Sequence, residues 1–189
     1  MRAVFLAAVL SCSVASAAGP YSYPKSITAF AGAGGVPLYS GAYFIHTVDW
    51  GLHPFDGAFS TGTSFSVAAD FHRVWSLGAL GVFVQLDLTY LFLSGLWAVH
   101  PPAHFPFRVQ LGSRIGLDVS RSEMDRPELP EPEIYWLIRP ALHNYVDLEI
   151  PIGSERRFTL VLRAALDTPA NLSTVYRWNF SIGGSWGYE

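Results

Sequence analysis

The stretch from Arg177 to Tyr188 sets Trp178, Phe180, Ile182, Trp186 and Tyr188 at one parity and Arg177, Asn179, Ser181, Gly183, Ser185 and Gly187 at the other. Side chains of a strand point alternately to its two faces, so this segment builds one bulky apolar face and one small polar face. If the alternation recurs upstream behind an export signal, the consistent solution is a closed barrel with lipid outside and a polar lumen inside. That is a statement about architecture and location, and it says less about activity.

Composition matters here through its distribution. Half of the 189 residues are hydrophobic and only 14% are charged, yet no apolar run of spanning length is free of interrupting polar residues. Alternation disperses the apolar residues in this way. Met1 to Ala17 resembles a secretory signal, with Arg2 as its positive end, Ala3 to Leu10 as a short apolar core and Ala15-Ser16-Ala17 as a cleavage site. Cys12, the only cysteine, lies within it, so the mature chain would carry no disulfide and no thiolate ligand. A lipoprotein site at Val9-Leu10-Ser11-Cys12 is the alternative, and the Ala-x-Ala site is the better match. Loss of Arg2 leaves 11 basic against 15 acidic residues, a balance that argues against nucleic acid as a partner.

Residues 18–25, with Pro20 and Pro24, read as a short periplasmic leader, and residues 26–189 as the barrel. Eight strands follow in order. The first, Ser26 to Gly34, is weak, because Ile27, Ala29 and Ala31 share a face while Phe30 sits on the other. The second is Ala42 to Leu52, with His46 out of place on the apolar face and His53-Pro54-Phe55-Asp56-Gly57 as a turn. Phe59 to Phe71 forms the third. The fourth runs from Leu80 to Phe92, where Leu80, Val82, Val84, Leu86, Leu88, Tyr90 and Phe92 share one face. A transmembrane helix over Val74 to Val99 is its rival, opposed by Asp87, which would cost about 2.5 to 3.5 kcal/mol near the centre of a bilayer.

The fifth strand, Phe107 to Val119, is the clearest. Arg121 to Glu133, with five acids and three prolines, reads as a long solvated loop. Ile134 to Ile152 makes the sixth, with a bulge or kink expected at Pro140; Phe158 to Leu166 makes the seventh and Arg177 to Tyr188 the last. The expectation is an all-β, eight-stranded antiparallel up-and-down transmembrane β-barrel. An even strand count leaves both termini in the periplasm, which puts 121–133 outside the cell as a possible contact element for an extracellular partner.

Tryptophan and tyrosine collect at the two membrane interfaces. The topology assigns Trp75, Trp136 and Trp178 to the outer rim, and Trp50, Trp97, Trp186 and Tyr188 to the inner one, each Trp at a strand end. Over Ser26 to Tyr188 the pattern, the length and the aromatic last strand resemble the small outer-membrane barrels of the OmpA transmembrane-domain and OmpX type. That resemblance implies a Gram-negative outer membrane, contact with its lipid and lipopolysaccharide, and insertion by the barrel-assembly machinery with Tyr188 as the terminal aromatic. Glu189 after Tyr188 departs from the type.

The lumen face collects charges of both signs: Asp87, Arg114, Asp118, Arg139, Asp147, Glu149, Arg163 and Arg177. Eight strands leave an interior that side chains can fill, so these residues are expected to form an ion-paired plug. Pairing across the turns sets Arg163 near Asp147 and Arg139 near Asp118, and the last strand brings Arg177 near Arg163. A polar pore is the functional alternative. Catalysis has weaker signals. Asp70 and His72 share a lumen-side rim with Asp118 and Asp167, as a water-activating protease would need. His46 faces lipid without an arguable serine for a lipid A deacylase. His100 and His104 flank a Pro-Pro turn, so no metal site is expected, and no cofactor motif is present. The sequence therefore favours a non-enzymatic barrel supporting envelope integrity or surface interaction, with a narrow transport barrel as the alternative.

Overall fold

The structure is a computed structural model that describes residue 23 and residues 25–36, 39–55, 59–70, 75–97, 106–124, 131, 133–153, 157–169 and 177–188. The predicted signal segment, Cys12, His72, His100, His104 and Glu189 lie outside the described residues. Eight strands, β1 (Lys25–Val36), β2 (Tyr39–Phe55), β3 (Phe59–Asp70), β4 (Trp75–Asp87), β5 (Arg108–Met124), β6 (Glu133–Ile152), β7 (Phe158–Pro169) and β8 (Arg177–Tyr188), pair in sequence order, and β8 pairs back to β1. All pairings are antiparallel. The result is the expected closed up-and-down barrel.

Its stagger can be read from the register. Lys25 stands opposite Leu52, and the row continues through Thr61, Val84, Ser113, Asn144, Leu166 and Trp178 to Gly35, ten residues further along β1. With strands ~4.8 Å apart and a rise of ~3.3 Å per residue, that stagger tilts the strands by about 40° and gives a backbone radius of roughly 8 Å. A tube of that radius is filled by its own side chains.

The two faces of the wall are inverted relative to a water-soluble protein. Outward positions are large and apolar, with Ile115 68%, Phe180 64% and Leu80 63% exposed. Inward positions such as Asp49, Ser64, Gln85, Gln110, Arg114, Asp147 and Asn179 are polar and buried. Three inward aromatic rings are accommodated by the glycine directly across the ladder: Phe30 by Gly183, Phe83 by Gly62 and Tyr145 by Gly112. A Cβ on Gly112 would come within 2.2 Å of the Tyr145 ring, and one on Gly183 within 2.6 Å of Phe30. Phe30, which spoils the alternation of the first predicted strand, is an interior ring seated on a glycine.

Several expectations change. The fourth strand ends at Asp87, and Leu88–Trp97 form a helix, α1. Neither the full strand to Phe92 nor the rival 26-residue helix is formed, because the Asp87 carboxylate accepts the Tyr90 backbone N–H at 2.8 Å and starts a helix there. Trp97 accordingly closes a helix and not a strand. Trp50 lies five residues inside the end of β2, so the strand-end rule fails for it too. Among the described residues no helix is long and apolar enough to cross a membrane, a statement that leaves strands aside.

The predicted 121–133 loop is shorter, since the β5–β6 ladder runs on through Arg121↔Trp136 to Met124↔Glu133. β2 extends through His53, Pro54 and Phe55, which were expected to turn; its ladder with β3 shifts register between Leu52 and Phe55. Pro140 causes no bulge, because the β5–β6 register is continuous through Leu117↔Pro140. On its other side the ladder with β7 ends at Ala141↔Pro169, so the missing N–H falls beyond that ladder. β1 starts at Lys25, one residue inside the predicted leader.

Candidate functional site

The interior is built by alternation on β2, β6 and β7. Asp49, Asp147 and Arg163 are each the inward residue of their register position, and Asp147 stands directly across from Arg163. The Arg163 guanidinium donates from Nε and Nη2 to the two Asp147 oxygens, at 2.8 Å each, and from Nη1 to Asp49 Oδ2 at 2.7 Å. Its plane lies between two rings, 4.0 Å from the Phe30 centroid and 3.9 Å from that of Tyr145. Planar geometry, a bidentate acid and two aromatic faces are the partners that suit arginine better than lysine. Asp147, 1% exposed, also accepts from Gln85 Nε2 at 3.0 Å, and Gln85 Oε1 accepts from Ser60 Oγ at 2.9 Å.

This knot divides the lumen. Towards the end that carries the termini lies a cavity of about 50 Å³ bounded by Lys25, Arg108, Glu149, Arg157 and Ser185. Beyond the knot lies a second of about 20 Å³ bounded by Thr47, Ser64, Arg114, His143 and Asp167. Asp49, Phe83 and Arg163 border both. Spaces of this size hold one or a few waters.

The other predicted charges lie in layers along the axis. Asp87 caps α1 at the terminal end, where Glu149 pairs across the ladder with Arg108. Arg114, 5% exposed, donates to Ser64 Oγ at 2.7 Å and Ser66 Oγ at 3.3 Å, with no carboxylate bonded to it among the described residues. At the far end Asp118 stands across from Arg139, and Arg177 across from Asp167. Arg177 is thus not beside Arg163, whose β8 partner is Ser181, because the β7–β8 register sets them four residues apart. His143 Nδ1 meets Asp167 Oδ1 at 2.5 Å.

Sequence reasoning left Asp49, Phe30, Tyr145 and Gln85 out of the knot. The alternation of β2 and β4 already marks Asp49 and Gln85 as inward. Their meeting with Arg163 and Asp147 across the lumen depends on barrel closure.

Of the predicted girdle, Trp50, Trp136, Trp178 and Trp186 are outward and exposed. Trp50, Ile27, Trp186, Phe158 and Ile152 share one register row at the terminal end, where Lys25 Nζ lies 5.8 Å from the Tyr188 ring. Trp178 packs edge-on to Phe180 with centroids 5.7 Å apart. Trp75 begins β4. The ladder neighbours of His46 are Ala31 and Val67, so no serine stands across from it. Among the described residues no group of three His, Cys, Asp or Glu could hold a metal.

No family model matches the sequence, and no curated protein matches it. Among solved structures the chain is similar to Neisserial surface protein A, at 11% identity and a TM-score of 0.61, covering 87% of this chain and 96% of that one. It is also similar to the N-terminal β-barrel domain of Pseudomonas aeruginosa OprF, at 10% identity and 0.55, covering 86% and 96%. The outer membrane enzyme PagL follows at 10% and 0.50, covering 86% and 99%. The protein is thus a small eight-stranded barrel of the outer-membrane type. At these identities the likeness carries the fold alone, and since one of the three is an enzyme, the fold does not separate catalysts from other barrels.

Proposed function

We propose that this protein is a non-enzymatic, non-conducting barrel of the outer membrane that supports envelope integrity or surface interaction through its exterior. The observation that carries this reading is the Arg163 guanidinium, fastened to Asp147 and Asp49 and clamped between Phe30 and Tyr145 across a lumen already filled by side chains. The exposed apolar wall supports a lipid environment, with lipopolysaccharide around the outer end. Contact with an extracellular partner falls to the β5–β6 ribbon around residues 121–133. Beyond the last β7 partner this ribbon exposes Ile134, Trp136 and Ile138.

A narrow transport barrel is the second reading. It is favoured by the cavities on both sides of the knot, the further of which is bordered by Arg114 and Tyr145, whose Nε and hydroxyl have no hydrogen-bond partner among the described residues. Single-channel recording in planar bilayers separates the two. The plugged reading expects silence from the parent protein and discrete steps from Arg163→Gly. Steady ohmic conductance of the parent would favour transport.

A further inference from the structure

The connection between β4 and β5 breaks a rule of membrane barrels. At the end that carries the termini the other connections are residues 56–58 and 153–157, whereas residues 88–107 lie between β4 and β5. Turns at that end are normally short. Half of this long connection is α1, and its position is fixed at two points. The Asp87 carboxylate caps its first turn, and Thr89 Oγ1 accepts the Val109 backbone N–H at 2.8 Å, which ties the helix to the foot of β5. Among the described residues α1 packs on β5 and makes no comparable contact with the strands across the mouth.

The helix, Leu-Thr-Tyr-Leu-Phe-Leu-Ser-Gly-Leu-Trp, contains no charged residue. Leu88, Leu91 and Phe92 fall at i, i+3 and i+4 on one side and are exposed, whereas Tyr90 is buried. A solvated helix of this length has little stability of its own, and one that shows leucine and phenylalanine to water would lose more. At the feet of the adjoining strands Leu86 of β4, Leu111 of β5 and Phe107 just before β5 are all exposed. Among the described exposed positions of β4, α1 and the foot of β5 none is charged, so one apolar run passes from the wall into the helix.

We propose that α1 lies in the periplasmic leaflet of the outer membrane, with Leu88, Leu91 and Phe92 among the acyl chains beside the foot of β5. This rests on the outer-membrane reading above. Continuity with the lipid-facing wall selects hydrocarbon as the occupant over a periplasmic protein. Without lysine or arginine the helix has nothing to draw it to anionic headgroups, so the contact is with acyl chains and indifferent to headgroup charge.

The test uses the full chain carrying Cys12→Ser, folded into phosphatidylcholine vesicles, with a single fluorophore attached at Leu91→Cys or Phe92→Cys. Val82→Cys in the wall and the exposed Glu131→Cys serve as controls. Lipids bearing a nitroxide high on the acyl chain should lower emission at 91 and 92 about twofold or more, and aqueous iodide should act only at 131. If iodide quenches 91 and 92 as it does 131 while lipid quenches 82, the placement of α1 is overturned and the barrel reading stands. If lipid fails to quench 82, the outer-membrane reading falls and this proposal falls with it.

Discussion

Replacing Arg163 by methionine keeps a long side chain between Phe30 and Tyr145 but removes the cation to which Asp147 and Asp49 are both bonded. Asp147 retains the Gln85 amide, whereas Asp49 loses the one hydrogen bond it makes among the described residues. Both acids are at least 96% buried. Orphaning one partner of a buried pair costs about 3–5 kcal/mol, and the two ring contacts of a desolvated guanidinium add about 2 kcal/mol. Methionine recovers a little of this by burying its own methylenes, so the net loss should be about 4–6 kcal/mol, a large part of the ~5–15 kcal/mol that holds a typical domain. The assay is the urea midpoint in lipid vesicles, followed by tryptophan fluorescence. Arg163→Met combined with Asp49→Asn and Asp147→Asn should recover more than half of the loss, since the knot then holds no charge. A loss below about 1 kcal/mol for Arg163→Met alone would refute the reasoning, because the lumen would then be solvating both acids unaided.

Three further changes probe other parts of the account. Gly112→Val drives a side chain into the Tyr145 ring and should cost about 1–3 kcal/mol in the same unfolding assay, less when Tyr145→Ala is added. Ile115→Arg places a charge on the outward wall and should cost about 2–4 kcal/mol in vesicles; an effect within about 0.5 kcal/mol would mean that the position faces water. Asp87→Ala removes the cap of α1 and should cost about 1 kcal/mol. It would be read as faster amide hydrogen exchange at Tyr90, and unchanged exchange there would mean that the carboxylate does not hold the helix.

What the sequence made legible depended on whether period two alone was enough. Along β5 and β8 the inward residues are mostly small or polar and the outward ones mostly bulky, Ser113 and Gly184 excepted, so face and strand follow directly from the order of residues. The β4–α1 boundary was hidden because Leu88, Tyr90 and Phe92 continue the strand parity while Leu88, Leu91 and Phe92 fit a helical face equally well. What decides is a single hydrogen bond from the Tyr90 amide to the Asp87 carboxylate. An Asp followed by Leu-Thr-Tyr-Leu was the available signal, and hydropathy does not weigh it. Partners across a turn, such as Asp147 and Arg163, are set by local register and could be named. Asp49 reaches the same guanidinium from 114 residues away, which follows only once eight strands and their stagger are fixed. Phe30 illustrates the same limit. As a sequence position it breaks an alternation, and in the closed barrel it is half of the clamp on Arg163.

The account rests on an apolar exterior dissolved in lipid around a side-chain-filled lumen, and migration of the membrane-extracted protein on a detergent gel before and after boiling tests it most directly. The account predicts that the protein fractionates with the outer membrane and that the unboiled band migrates apart from the boiled one, because a closed ladder with no free edge resists the detergent until heated. A protein recovered in the soluble fraction, with one band position in both lanes, would contradict it.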